Sequence, residues 1–247
     1  MIQRRQLLTN MFLMGACALA LSACGKDLIG PPEASPIYVV RPSFPPAPAG
    51  VPAGNKVPWA LSIMHPDIAG ALDSERIALY QPDGTMDFYA KATYPDRLSP
   101  IVQHAILDGF EASGRIDAVA TEEAALHADY DLAIEVKDFA AHYAQADGVP
   151  GVTVAITAKL TTSRGRVIVG SFSTTQTGSA SVNSVGAAVQ ALQQALGAAV
   201  KAIVDWALTF PMPVTQGPAA ASPGKPARQL LDDAARGSGK LRDATRP

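Results

Sequence analysis

Cysteine is nearly absent: Cys17 and Cys24 are the only two in 247 residues. Two cysteines exclude a disulfide scaffold and a four-thiolate zinc site. Charge is scarce as well. Asp, Glu, Lys and Arg make up 17% of the chain and balance to −2, whereas an average domain carries about a quarter charged residues. No polybasic face is available to neutralise a nucleic-acid backbone, so nucleic acid is not an expected partner. Catalytic signatures are missing too. There is no G-x-S-x-G, no G-x-G-x-x-G and no phosphate-binding Gly-Lys-Thr loop. The four histidines (His65, His104, His127, His142) show no H-x-x-x-H or paired-carboxylate spacing. Each is expected at the surface or at a cap, with no metal and no cofactor implied.

What is present begins at the amino terminus. Residues 1–10 carry Arg4 and Arg5 and no acid, and residues 11–21 (MFLMGACALAL) are uninterruptedly apolar or small. A basic start followed by an apolar run is the pattern of a secretory signal. The run is too short to span a bilayer, which needs about 20 residues. Leu21-Ser22-Ala23-Cys24 follows it and resembles the bacterial lipobox. That resemblance implies cleavage before Cys24, which becomes diacylated and then acylated on its new amino terminus. Several acyl chains hold a protein at a membrane as one chain does not. The alternative is an ordinary signal peptide cut at the Ala-x-Ala-like pattern, with a chance cysteine. By analogy with the enterobacterial sorting rule, Gly25 in place of Asp favours the outer over the inner membrane.

Proline is plentiful but uneven. Nine of the 20 prolines lie in residues 25–58 and six in residues 211–247, leaving five between. The first cluster reads as an extended, semi-rigid tether, reaching on the order of 100 Å, with Ile37–Val40 able to pair as an edge strand. The second has no aromatics and scattered charge, and it reads as disordered. The expected organisation is a signal peptide over 1–23, a lipidated cysteine and tether over 24–58, one domain over 59–210 and a disordered tail over 211–247.

Within the domain, hydrophobic period identifies the elements. Trp59–Met64 and Arg76–Tyr80 read as strands. Turn residues at 81–85 and alternation over Met86–Ala92, with Phe88 and Ala90 opposed to Tyr89 and Lys91, predict a hairpin. Ser99 suits an N-cap and Pro100 the first position of a helix, with Val102, Ile106 and Gly109 or Phe110 on one stripe and Gly114 as its stop. Asp117–Ala120 reads as a short strand and residues 121–128 as a brief helical turn. Tyr130–Phe139, Val152–Leu160 and Val167–Thr174 alternate as three adjacent antiparallel strands with one wet face. Val185, Val189, Leu192, Leu196, Val200, Ile203 and Ala207 mark a long amphipathic helix lying across them. Gly186 and Gly197 are expected to let it approach the sheet closely. The fold class is α/β: a single-domain sandwich with a mixed, mostly antiparallel sheet, two main helices packed on it, and disordered arms on either side.

Leu72-Asp73-Ser74-Glu75-Arg76-Ile77-Ala78, Phe88-Tyr89-Ala90 and Leu98–Gln103 carry a further likeness. So do Phe110-Glu111-Ala112-Ser113-Gly114-Arg115, Ala128–Leu132 and the final helix ending at Trp206. In this order the stretch from Leu72 to Phe210 resembles the ABC-type transport auxiliary lipoproteins, the PqiC-like components of MCE-type lipid transport systems. That family often carries an Arg-Trp pair where this chain has Ala92-Thr93-Tyr94-Pro95-Asp96-Arg97, and Tyr94 stands as the replacement aromatic. The resemblance implies a periplasm-facing, non-catalytic subunit. Its partners would be the membrane through its lipid, an MCE protein and an ABC permease with its ATPase. Phospholipid or sterol would be the cargo. A homo-oligomer is compatible with the sequence, which does not set oligomeric state. The alternatives are another envelope-assembly or secretion lipoprotein with a related domain, and a hydrolase assembled from scattered residues.

The remaining candidates have plainer readings. Asp129, Asp131, Glu135 and Asp138 form an acidic run expected on a solvated face, with no carboxylate desolvated. Ser99, Ser113 and Ser184 are expected at caps or loops, and Trp59 and Trp206 at opposite ends of the domain. Lipid attachment at Cys24 is the single site with a named chemistry.

Overall fold

β6 (Tyr130–His142) organises the molecule. Its alternation buries Leu132, Ile134 and Val136 on one face. Along its whole length it pairs antiparallel with β7 (Gly151–Thr162), in a register that sets Leu132 opposite Leu160, Ile134 opposite Ala158 and Val136 opposite Ile156. Apolar cross-strand pairs on one face are the unit of sheet cohesion. β7 turns through Ser163–Arg166, with Arg166 at φ 50, into β8 (Ile168–Ser179), again antiparallel.

The structure, a computed structural model, describes residues 35–45 and 56–213. The expected signal peptide, Cys24, part of the expected tether and nearly all of the expected tail lie outside the described residues.

The second edge of β6 is shared by three short parallel ladders. β1 (Val57–Ile63) takes its start, β2 (Asp67–Ile68) its middle and β3 (Arg76–Tyr80) its end. β5 (Ile116–Thr121) lies parallel outside β1, and β4 (Met86–Thr93) antiparallel outside β3. The eight-stranded sheet therefore forks past β6. It is mixed, and its long ladders are the antiparallel ones. A bulge between Val136 and Asp138 shifts the alternation of β6, and beyond it Phe139, Ala140 and Ala141 are all buried.

Both helices pack on this sheet, giving the expected α/β sandwich. α1 (Leu98–Ser113) lies over β1, β2 and β5, and α2 (Val185–Ala207) over β6, β7 and β8. α2 buries Val189, Leu192, Leu196, Val200, Ile203 and Ala207. It is long and apolar enough to cross a bilayer, but more than half of that stretch is buried inside the fold, so it is a core helix here. Ser184 caps it by accepting from the Ala187 N–H, and Gly114 ends α1 at φ 62. The chain divides into two units after Phe210, and the sheet and helices belong to the first.

Several expectations are corrected. α1 starts at Leu98 behind Arg97, which makes no side-chain cap bond. Ser99 and Pro100 are its second and third residues. The Ser99 N–H is satisfied by Asp73 Oδ1 at 3.0 Å, so a carboxylate 26 residues upstream does the work of the cap. The alternation of β4 fails after Phe88. Residues 89–92 stand opposite Ile77 alone, and Lys91 has φ 52. The turn after β5 covers only Glu122–Ala124 and ends at Ala125, φ 51.

Gly186 and Gly197 do not face the sheet. A Cβ on Gly197 would stand 3.3 Å from Pro42, and one on Gly186 3.7 Å from Tyr38. The close approach belongs to Gly109 of α1, where a Cβ would fall 2.4 Å from Val200 on α2. Residues 35–45, read as tether, are packed onto the domain. Ile37 makes one bridge to Thr93 rather than a strand, the Tyr38 N–H donates to Thr93 O at 2.7 Å, and Val40 is buried. Arg41 N–H donates to Gln193 Oε1 on α2 at 3.1 Å.

Candidate functional site

Val39–Pro42 of the strap at residues 38–44 and the first turns of α1 line an open cavity of about 470 Å³. Val39, Pro42 and Ile101 supply apolar wall, while Arg41, His104 and Asp108 stand on its polar side. The strap is held there by its own sequence. Val40 and Pro42 are buried, and Phe44 packs near Gly109. His104 is fixed through Nδ1 to the Pro100 carbonyl, one helical turn back, at 2.8 Å. Nothing in this set is a nucleophile beside a base. Its lining sets an apolar wall beside one basic and one acidic side chain, Arg41 and Asp108.

The acidic run does not converge. Asp129 Oδ2 accepts from the Ala60 N–H at 2.9 Å and Asp131 Oδ1 from Ser163 Oγ at 2.8 Å. Glu135 faces Lys159 at 3.8 Å. Asp138 departs from the solvated-face expectation. Burial raises its pKa, with the nearby His142 pulling it back down. Its Oδ2 lies 3.0 Å from His142 Nε2, and the imidazole stacks on Tyr80 at 4.9 Å. Asp138 Oδ1 is buried, with no hydrogen-bond partner among the described residues. This is one acid–base pair. Among the described residues no serine or threonine hydroxyl bonds to it, and no group of three His, Cys, Asp or Glu is placed to hold a metal ion.

The serines are structural. Ser113 Oγ donates to Phe110 O at 2.6 Å and accepts from the Arg115 N–H. Ser184 is the N-cap of α2. The tryptophans meet at one end of the fold instead of sealing two. Trp59 Nε1 donates to Phe210 O at 3.0 Å, and Trp206 packs on Phe210 and stacks on Phe172. Gly170 of β8 is required beneath them, because a Cβ there would lie 2.4 Å from Phe210.

Tyr94 is fully internal. It packs edge-on against Phe139, 3% exposed. Its hydroxyl has no hydrogen-bond partner among the described residues, and burial pushes its pKa far above the ordinary 10.0. Nearby, the Tyr89 and Tyr143 hydroxyls bond at 3.0 Å, and Tyr143 donates to Asn183 Oδ1. Burial, then the Tyr143 hydrogen bond, raises Tyr89 as well. Sequence periodicity missed the strap, Asp73 and this tyrosine group. The signal available for Asp73 was its place in the Leu72–Ala78 stretch.

A forked mixed sheet under two helices, strapped by its own amino-terminal segment, makes this an α/β sandwich domain. Residues 43–204 match the family described as ABC-type transport auxiliary lipoprotein component. The crystal structure of protein XCC0632 from Xanthomonas campestris is similar at 30% identity, over 70% of this chain and 95% of that one, with a TM-score of 0.63. A second solved structure, of an uncharacterized protein, shares the fold at 13% identity and a TM-score of 0.52, covering 62% of this chain and 95% of that one. No curated protein matches the sequence. The chain belongs to the ABC-type transport auxiliary lipoprotein family.

Proposed function

We propose that this protein is a lipid-anchored, periplasm-facing, non-catalytic subunit of an MCE-type ABC system that moves phospholipid or sterol. The family match over residues 43–204 carries the reading, and the basic, apolar and Leu21–Cys24 sequence supports it. In this reading residues 1–23 are removed, Cys24 bears the acyl chains, and the outer membrane is the anchoring site. Residues 24–58 lead to the 59–210 domain, and residues 211–247 trail from it.

In this reading the packed strap shortens the tether. From Cys24 to residue 35 there are 11 residues, which span at most about 40 Å when extended. The domain is then held near its membrane, not on the order of 100 Å away.

Two measurements test the reading. Cys24→Ala should release the protein from the membrane fraction, and retention there would sink the anchor. Affinity capture of the lipidated chain should recover an MCE protein with a permease or ATPase. Reproducible absence of all three would remove the transport partnership and favour another envelope-assembly role.

A further inference from the structure

The hairpin tip between β7 and β8 has an unusual composition for a turn. It runs Ser163-Arg164-Gly165-Arg166-Val167-Ile168-Val169, and every residue from Arg164 to Val169 is exposed. Val167 is 58% exposed and Ile168 61%. Turns ordinarily carry polar residues, yet here three consecutive branched apolar side chains stand in water. Elsewhere among the described residues, exposed large apolar side chains (Ile37, Val39, Val149, Val182, Met212) are not adjacent in sequence. A contiguous exposed apolar patch with a polar rim marks an interaction surface.

The rim of this patch is basic. Among the described residues neither Arg164 nor Arg166 forms an ion pair. The acids beside the turn are engaged: Asp129 Oδ2 accepts from the Ala60 N–H, and Asp131 Oδ1 accepts from Ser163 Oγ. The tip is also held in shape. The Arg166 N–H donates to Thr162 O at 2.8 Å and the Val167 N–H to Thr162 Oγ1 at 3.2 Å. Just behind it Gly170 passes under Trp206 and Phe210, both only partly buried. The opposite end of the same strands exposes Val149 and Val182. There Asn183 Nδ2 donates to Asp147 O, and the Asp147 side chain is exposed. Apolar exposure is common to the two ends, and the sign of the charge separates them.

We infer that the β7–β8 tip is a membrane-contact element: Val167, Ile168 and Val169 enter the interface of an anionic phospholipid bilayer, and Arg164 and Arg166 meet the lipid phosphates. Apolar side chains gain by leaving water at the headgroup boundary, and basic residues beside them add attraction to anionic lipid. Trp206, half-buried behind the tip, is of a residue type that suits that depth. The geometry allows the tip to reach the membrane that holds Cys24. Ile37 bridges Thr93, which pairs with Arg76. Leu79 pairs with Ala141, so Arg76 is level with residue 138 of β6. The tip lies beside Tyr130, where β6 begins. Residues 130 to 138 of a strand span roughly 25 Å, less than the roughly 40 Å available between Cys24 and residue 35. Only this reach rests on the anchor proposed above; the contact itself rests on the tip.

The test places Ile168→Cys, or Val182→Cys as control, in the full chain and labels it with nitrobenzoxadiazole. Each is reconstituted with phosphatidylglycerol–phosphatidylcholine vesicles, and the chain without the added cysteine, treated alike, supplies the blank. Quenching by a spin-labelled lipid reads contact without separating bound from free chain. The label at residue 168 should shift to the blue and be quenched, and the label at residue 182 should stay aqueous. An arginine near an anionic surface is worth roughly fivefold. Arg164→Ser with Arg166→Ser should therefore lower the ratio of quenched to unquenched tips about twentyfold, and added salt should lower it for wild type. Both arginines are exposed, and an unchanged circular dichroism spectrum checks that the variant folds. An unquenched tip, equal quenching at residues 168 and 182, or indifference to the arginines would overturn the inference. Flotation of the vesicles reports the anchor separately. A chain that floats with an unquenched tip defeats this inference and leaves the anchor standing; a quenched tip on a chain that does not float does the reverse.

Discussion

The two sides of β6 are built on different principles. Toward β7, β8 and α2 the structure is regular. The β6–β7 and β7–β8 ladders are long, and cohesion comes from apolar residues repeated at period 2 on the strands and 3 to 4 on the helix. Toward β1, β3 and α1 the ladders are short, and individual polar bonds join distant segments. Asp73 holds the start of α1 and pairs with Arg97 at 2.9 Å. Asp129 holds Ala60, and Gln103 Nε2 donates to Ile63 O at 3.0 Å while itself buried. A regular half tolerates the loss of any one polar bond because none organises it. A stitched half depends on a few atoms that neighbouring residues cannot replace.

Substitutions can break or sharpen this contrast, measured as unfolding free energy in urea. The largest loss is expected in the regular half. Leu192→Ala on α2 removes a fully buried side chain and should cost about 2–5 kcal/mol. Gly109→Ala sits where the halves meet. Its Cβ would press on Val200 at 2.4 Å, and such overpacking costs about 1–3 kcal/mol. Asp73→Ala probes the stitched half. It leaves the Ser99 N–H without its acceptor and Arg97 without its carboxylate, for about 1–2 kcal/mol by analogy with lost helix caps. Equal costs at Asp73 and Leu192 would erase the distinction between the halves.

The smallest effect is a pH dependence at Asp138, which lies just past the β6 bulge. Burial raises its pKa above the ordinary 3.8, so the folded chain holds that proton more firmly than the unfolded one. Its stabilising contribution is then complete below 3.8 and is lost as pH rises through the raised value. Wild type measured against Asp138→Asn should therefore lose ground with rising pH across the acid range. The partner imidazole of His142 is partly exposed, and the change should stay below about 1 kcal/mol. A difference that grows in favour of wild type as pH rises would reverse the assignment.

Legibility followed the same division. The period-2 runs of β6 and β7 and the stripe of α2 were read from the sequence with boundaries close to the observed ones, because each repeat is local. Ser184 and Gly114 were legible too, since a cap and a left-handed stop act within one turn. The stitched half was read less well. Ser99 looked like a cap because the actual acceptor, on Asp73, is remote in sequence. Residues 35–45 looked like tether because composition shows proline but not the helix groove that receives Val40 and Pro42. Trp59 and Trp206 border the domain in sequence, yet the sheet's fork brings both to Phe210. The acidic run looked uniformly solvated, and only the packing around the bulge singles out Asp138.

Composition and period by themselves determined the class of fold, the order of its main elements, and the faces that β6, β7 and the long helix would bury. Those properties depend on residues close together along the chain. Tertiary structure alone decided the fork of the sheet, the strap over the helices and the remote cap on α1. Each of these is a contact between segments far apart in sequence. Its free energy depends on distances that no local pattern encodes.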